Sequence, residues 1–322
     1  MGSLINGKWS EEDARRHVKG RFERVDSQFR DWITADGSSG FKAEPNRYHL
    51  YVAHNCPWAY RAMLFRKLKG LEGMISMAIA KIGLRPTSWE FAEGPGAVPD
   101  AVNGFVFLHE AYSAANPTYT GSVTVPTLWD TKKKTVVNNE SSEIIRMFNS
   151  EFAEFTDPTP DYYPEELRTE IDEINDIVYP NVNNGVYRCG FARTQEAYDD
   201  AFDRLFSTLD DLEERLAGQR YLVGNRLTEA DWRLFSTLIR FDIVYYGLFK
   251  CNRQHIYEYP NLWNYMLDLY QHPGVAEMTE IGYFKAGYYA GIDRGGHGIV
   301  PKGPDLDYTQ AHDRDRFPAD GG

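Results

Sequence analysis

At 322 residues, with 42% hydrophobic and 14% aromatic content, the chain is long enough for two domains with ordinary cores. Its formal net charge of -12 argues against nucleic acid or an anionic membrane as a partner, because both would repel it. Three cysteines, Cys56, Cys189 and Cys251, show no paired spacing; they make neither a disulfide framework nor a zinc knuckle, and they point to a reducing compartment.

Residues 1 to 46 are polar and aromatic without a sustained period and read as an extension, an arm on a neighbouring surface in which FRDWI forms a short packing element. The opening MGSLINGKWSEEDARR has no apolar leader, and no run of about 18 apolar residues follows, so a cytoplasmic protein is expected. In YHLYVAHNCPWAYRAMLFRKLKGLEG, Tyr48, Leu50 and Val52 alternate with His49 and Tyr51, which predicts a half-buried strand. Pro57 then fits the first turn of a helix whose apolar stripe is Ala62, Leu64, Phe65, Leu68 and Leu71. MISMAIAKI is a second strand candidate, and residues 83 to 122, punctuated by Gly, Pro and Asn, read as an insertion too irregular for a regular core.

SVTVPTLWDTKKKTVVNNESSEIIRMFN reads as strand, turn, strand and helix. Pro126 cannot donate to a ladder, so it marks an edge, a bulge or a cis bond. Residues 151 to 164 have linker composition. From Pro164 onward, EELRTEIDEINDIVY, TQEAYDDAFDRLFSTLDDLEERLAG, LTEADWRLFSTLIRFDIVYYGLF and YPNLWNYMLDLYQHP are helical patterns. Thr228 and Asp231 have capping-box spacing, a structural role for that acid. The predicted organisation is an extension over 1–46, an α/β domain over 47–155, an all-helical domain over 164–290 and an extended tail over 291–322.

Two stretches carry chemistry. Cys56 falls at a helix N-terminus, where exposed N–H groups and the positive end of the macrodipole favour a thiolate; the competing reading is a small buried hydrophobe. Asn139-Glu140-Ser141-Ser142 opens a helix, placing hydroxyls and backbone N–H groups where a carboxylate would bind, although capping alone accounts for a Ser there.

A βαβ unit with Cys-Pro at its first helix, a Val-Pro step and a hairpin ending in a polar helix start resembles a thioredoxin-like domain, and the helical half behind it resembles a glutathione transferase. RFERVDSQFRDWITADG, NCPWAYRAMLFRKLKGLEG, VTVPTLWD, VNNESSEIIRMFN, NNGVYRCGFARTQEAY, LTEADWRLFSTLIRFD, FKCN and GIVPKGP together resemble the Xi class, the S-glutathionyl-hydroquinone reductases. The resemblance implies a homodimer that reduces glutathionyl-hydroquinones with glutathione as co-substrate and without a metal. Related readings are a broader glutathione-dependent thiol transferase, dehalogenase or thioether lyase, and a non-catalytic aromatic-ligand carrier.

By the same resemblance Cys56 is the nucleophile, Glu140 and Ser141 hold the γ-glutamyl end of glutathione, the backbone of Val125 pairs with its cysteinyl segment, and Trp89 flanks it, against the alternative of a packing Trp. Tyr187 and Tyr288, with Tyr289 as an adjacent contender, line the aromatic pocket and serve catalysis. The chain departs from the family at Ser122, where Arg is usual, at Tyr60, where His is common, and at His54 and Asn55, where small residues precede the cysteine.

Overall fold

The computed structural model describes residues 2–12, 15–82, 88–291 and 297–318. Parts of the expected extension (1, 13–14), insertion (83–87) and tail (292–296, 319–322) lie outside the described residues. Along the chain run β1 (Ser3–Ile5), β2 (Lys8–Ser10), β3 (Arg16–Val18), β4 (Arg21–Glu23), β5 (Tyr48–Val52), α1 (Pro57–Leu68), β6 (Ile75–Ile79), α2 (Leu108–Ala115), β7 (Gly121–Ser122), β8 (Thr127–Asp130), β9 (Thr135–Asn138) and α3 (Ser141–Ser150). There follow α4 (Arg168–Val178), α5 (Gly185–Gly190), α6 (Gln195–Gly218), α7 (Glu229–Arg240), α8 (Tyr246–Leu248), α9 (Pro260–Gln271), α10 (Val275–Met278) and α11 (Ile281–Gly291).

These elements divide between two compact units, the first comprising Met1–Arg15, Arg24–Thr159 and Gly282–Val300, the second Arg16–Glu23, Pro160–Ile281 and Pro301–Gly322. The first is built on a four-stranded sheet in the order β6-β5-β8-β9, with β5 parallel to β6 and antiparallel to β8. Helix α1 packs on β5 and α3, and α2 lies against β9. All five residues of β5 are buried, where alternation predicts one solvated face. The second face is covered by Asp100 from outside the sheet: Tyr51 OH donates to Asp100 Oδ2 at 2.9 Å, and Asp100 accepts from the N–H groups of Val102, Asn103 and Phe105, while His49 Nδ1 lies 2.7 Å from Ser76 Oγ on the neighbouring β6. One carboxylate thus fixes a loop and the strand beneath it.

The stretch expected to be irregular contains α2, whose Leu108, Ala111 and Tyr112 are buried and whose first turn is held by Glu110 Oε2 accepting from the N–H groups of Val106 and Phe107. FRDWI packs as an extended segment: Asp31 N donates to Val137 O at 3.0 Å and Asn139 N to Phe29 O at 3.1 Å, so it borders β9. The N-terminal residues also form the β1–β2 hairpin, and β1 pairs with β7 through Ser3 and Ser122. Of the alternatives for Pro126, a cis Val125–Pro126 bond is found.

The second unit is helical apart from the β3–β4 hairpin, whose Phe22 meets Phe191 edge-on at 5.2 Å. The predicted helix from Thr228 to Phe249 is interrupted between α7 and α8 by a wide turn over Phe241–Tyr245, and a similar turn over Tyr179–Asn183 joins α4 to α5. Asp231 accepts from Thr228 N at 2.8 Å, as a capping box requires, and also from Leu222 N at 2.8 Å and Tyr265 OH at 2.9 Å. In the tail, the buried Arg314 donates to Leu216 O at 2.8 Å and to Gln219 O, satisfying carbonyls at the end of α6.

Candidate active site

The junction of β5 and α1 sets the position of Cys56. Cys56 is the N-cap of α1 with extended backbone (φ -81°, ψ 117°), and Pro57 is the first helical residue. Its sulfur accepts from Ala59 N at 3.4 Å and its thiol faces Val125 O, also at 3.4 Å. A sulfur that receives a helix N–H is favoured as an anion. Cys56 is half-buried, whereas Cys189 and Cys251 are fully buried. The motif Cys56-Pro57-Trp58-Ala59 holds no second cysteine, so no resolving thiol follows one turn later. Above it, the Arg24 guanidinium lies 3.9 Å from the centre of the Trp58 ring.

Val125 precedes the cis proline, and its N–H pairs with no group among the described residues. Its neighbour Thr124 is tied to the start of α3: Asn139 Nδ2 donates to Tyr112 OH at 3.0 Å and to Thr124 Oγ1 at 3.3 Å, while Tyr112 OH donates to Thr124 O at 3.0 Å. Burial pushes the Tyr112 phenol up, which keeps this donor protonated.

At the start of α3 the capping role falls to Glu140, whose Oε1 accepts from Ser142 N at 3.1 Å. Its other oxygen, Oε2, accepts from Ser27 Oγ at 3.2 Å. Ser141 is left free of capping. It is 2% exposed, and its Oγ has no hydrogen-bond partner among the described residues. A buried hydroxyl without a partner is costly in a folded protein, and beside a helix N-terminus it is a donor held ready for an anion. Ser122 lines a cavity of about 30 Å³ with Ser27, Gln28, Thr124 and Asn139.

Trp89 is half-buried, with its carbonyl accepting from Leu108 N at 2.9 Å. Tyr288 is buried and Tyr289 half-buried on α11, within the first unit. Tyr187 belongs to α5 of the second unit, its ring against Phe191, Tyr245 and Phe249 at 5.3 to 5.9 Å. Within the first unit the fold therefore joins Cys56 to Val125 and, through Thr124, Tyr112 and Asn139, to the start of α3 where Glu140 and Ser141 stand. Ser27 and Tyr112 take part in this arrangement, and local sequence signals point to neither.

Residues 55–151 match the glutathione S-transferase N-terminal domain and residues 195–267 the glutathione S-transferase C-terminal domain. The chain is 51% identical over 313 residues to the glutathionyl-hydroquinone reductase PcpF of Sphingobium chlorophenolicum, covering 94% of this chain and 96% of that protein. The chain belongs to the Xi class of glutathione transferases. The Xi-class chain is also 46% identical to glutathionyl-hydroquinone reductase YqjG of Escherichia coli, covering 98% of this chain and 99% of that one. Among solved structures it superposes on a Xi-class glutathione transferase from Natrialba magadii with a TM-score of 0.91, at 45% identity and covering 98% and 97% of the two chains. On the glutathione-bound YqjG the TM-score is 0.90, at 45% identity and covering 98% and 100%. Its fold is the thioredoxin-like domain followed by the all-helical glutathione transferase domain that the sequence motifs imply.

Proposed function

We propose that the chain is a glutathione-dependent oxidoreductase that reduces S-glutathionyl-hydroquinones to hydroquinones. The observation that carries this reading is Cys56 at the N-cap of α1, its sulfur on a helix N–H and beside Val125 O, with no resolving cysteine in its motif. The Cys56 thiolate attacks the sulfur of the adduct, the carbon–sulfur bond breaks with its electron pair going to the ring carbon, and a proton is added there. A second glutathione then attacks the Cys56–glutathione disulfide through its thiolate, releasing glutathione disulfide and restoring Cys56.

In this reading Glu140 and the unpaired Ser141 hydroxyl receive the γ-glutamyl carboxylate and ammonium groups, Val125 pairs with the cysteinyl peptide, and Trp89 flanks the ligand. Tyr187 and Tyr288 donate to the ring oxygens, with Tyr289, next to Tyr288 in sequence, as the contender for the same role. Relatives named glutathionyl-hydroquinone reductases at 46% and 51% identity support the reaction. A homodimer in the cytoplasm belongs to the same reading; among the described residues no helix is long and apolar enough to cross a membrane.

Incubation with glutathione and a glutathionyl-hydroquinone, followed by product analysis and mass spectrometry of Cys56, tests the proposal. Release of hydroquinone and a glutathione adduct on Cys56 are expected. A thioether product, or turnover without that adduct, overturns it.

A further inference from the structure

Helix α11 is seated on the loop that carries the nucleophile. The Tyr283 ring stacks on His54 at 5.2 Å and 23°, and His54 Nε2 lies 3.1 Å from Gly96 O. Phe284 meets Tyr60 edge-on at 5.6 Å. About one turn further along, the helix backbone closes on Asn55, since a Cβ at Gly287 would lie 2.4 Å from Asn55 Cβ and 2.7 Å from its Cγ. The space that a side chain at position 287 would fill is therefore held by Asn55, the residue before Cys56 and opposite the helix turn that leads into Tyr288. Asn55 is 7% exposed, and its Oδ1 has no hydrogen-bond partner among the described residues.

A buried amide oxygen is retained at a cost unless something supplies its donor. Here it is one residue from the attacking sulfur and packed against Gly287 of α11. We infer that Asn55 is a specificity-determining residue whose carboxamide oxygen accepts a hydrogen bond from the substrate's aromatic hydroxyl next to the thioether carbon, and that Gly287 is what lets it lie there. The inference rests on the proposed reduction of glutathionyl-hydroquinones. The chemistry selects that hydroxyl: an oxygen acceptor needs an O–H or N–H, and a hydroxyl on the ring carbon adjacent to the carbon–sulfur bond stays within a few bonds of the sulfur that Cys56 attacks. Aryl adducts with a hydroxyl in that position should be preferred over those without one.

Calorimetry in a Cys56→Ser background, where no turnover occurs, separates this role from packing. The probes are a glutathionyl-hydroquinone, its dimethyl ether and glutathione alone. Asn55→Ala should weaken binding of the glutathionyl-hydroquinone by about tenfold, as loss of one buried hydrogen bond implies, while the dimethyl ether and glutathione are unaffected. Asn55→Leu, close in volume and lacking an acceptor, should behave alike, which guards against a folding defect of the smaller variant. Equal losses for all three probes, equal losses for the hydroxylated and methylated adducts, or no loss at all would overturn the acceptor role. If the protein with Cys56 intact reduces the adduct and Asn55 variants bind it normally, only Asn55 is removed from the account; if it fails to reduce the adduct, the proposed function itself falls.

Discussion

The Cys56 sulfur faces the carbonyl oxygen of Val125 at 3.4 Å, which joins the N-cap of α1 to the residue before the cis proline. In the proposed reaction, the Cys56–glutathione disulfide would form beside the Val125 backbone. Cys56→Ser is expected to abolish reduction, and Cys189→Ala and Cys251→Ala to preserve it. Burial, with the Cys189 thiol beside it, pushes the Cys251 thiol up, so it stays protonated and poorly nucleophilic. Steady-state rates of the three variants decide the point, and an active Cys56→Ser enzyme sinks the mechanism.

Ser141 offers a test in which binding and stability separate. Its Oγ makes no hydrogen bond among the described residues and α3 is capped by Glu140, so Ser141→Ala should leave the melting temperature unchanged or slightly raised. Glutathione affinity should fall by roughly 10- to 100-fold, the scale of one hydrogen bond to a charged group. Calorimetry and thermal denaturation on the same sample check both, and a stability loss with unaltered affinity assigns Ser141 to the fold alone.

Ser122 is held by backbone pairing to Ser3 and lines the small cavity beside Asn139. Ser122→Arg places a fork of donors there, and glutathione should bind up to about tenfold more tightly. Unchanged or weaker binding by calorimetry means that this side chain does not face the ligand.

Tyr187→Phe and Tyr288→Phe keep the aromatic wall and delete a donor. Each should lower kcat for a glutathionyl-hydroquinone by ~10- to 100-fold while glutathione affinity holds, since the loss is confined to charge developing on the ring oxygens. Wild-type kcat in the double variant would reduce both residues to packing.

Asp231 predicts a pH effect on stability. Burial pushes its carboxyl up to about 6 from an ordinary 3.8, against the donors Leu222, Thr228 and Tyr265. Because the folded state then holds this proton more tightly than the unfolded chain, the Asp231 contribution to stability is greatest below pH 4 and declines as pH rises from about 4 to 6. Urea midpoints across that window should fall more steeply with pH in the wild type than in Asp231→Asn; parallel curves would show that Asp231 does not titrate there.

Local rules made much of this protein legible. Pro at the first helical position and Cys before it are short-range signals, and they place Cys56 at a helix N-terminus without any tertiary contact. The 3.6-residue periodicity likewise marked the helices from Pro164 onward, and Thr228 with Asp231 marked a cap. Tertiary structure decided whatever depends on partners distant in sequence. The outer face of β5 is buried because Asp100 reaches Tyr51 from 49 positions away, and alternation along a strand carries no information about what covers its second face. Glu140 caps α3 and so frees Ser141, a division of labour that NNESS permits in more than one way. Ser27 reaches Glu140 across 113 positions, and Gly287 makes room for Asn55. The last pairing is a matter of volume shared between two segments that meet only in the folded chain, so neither sequence position reveals it alone.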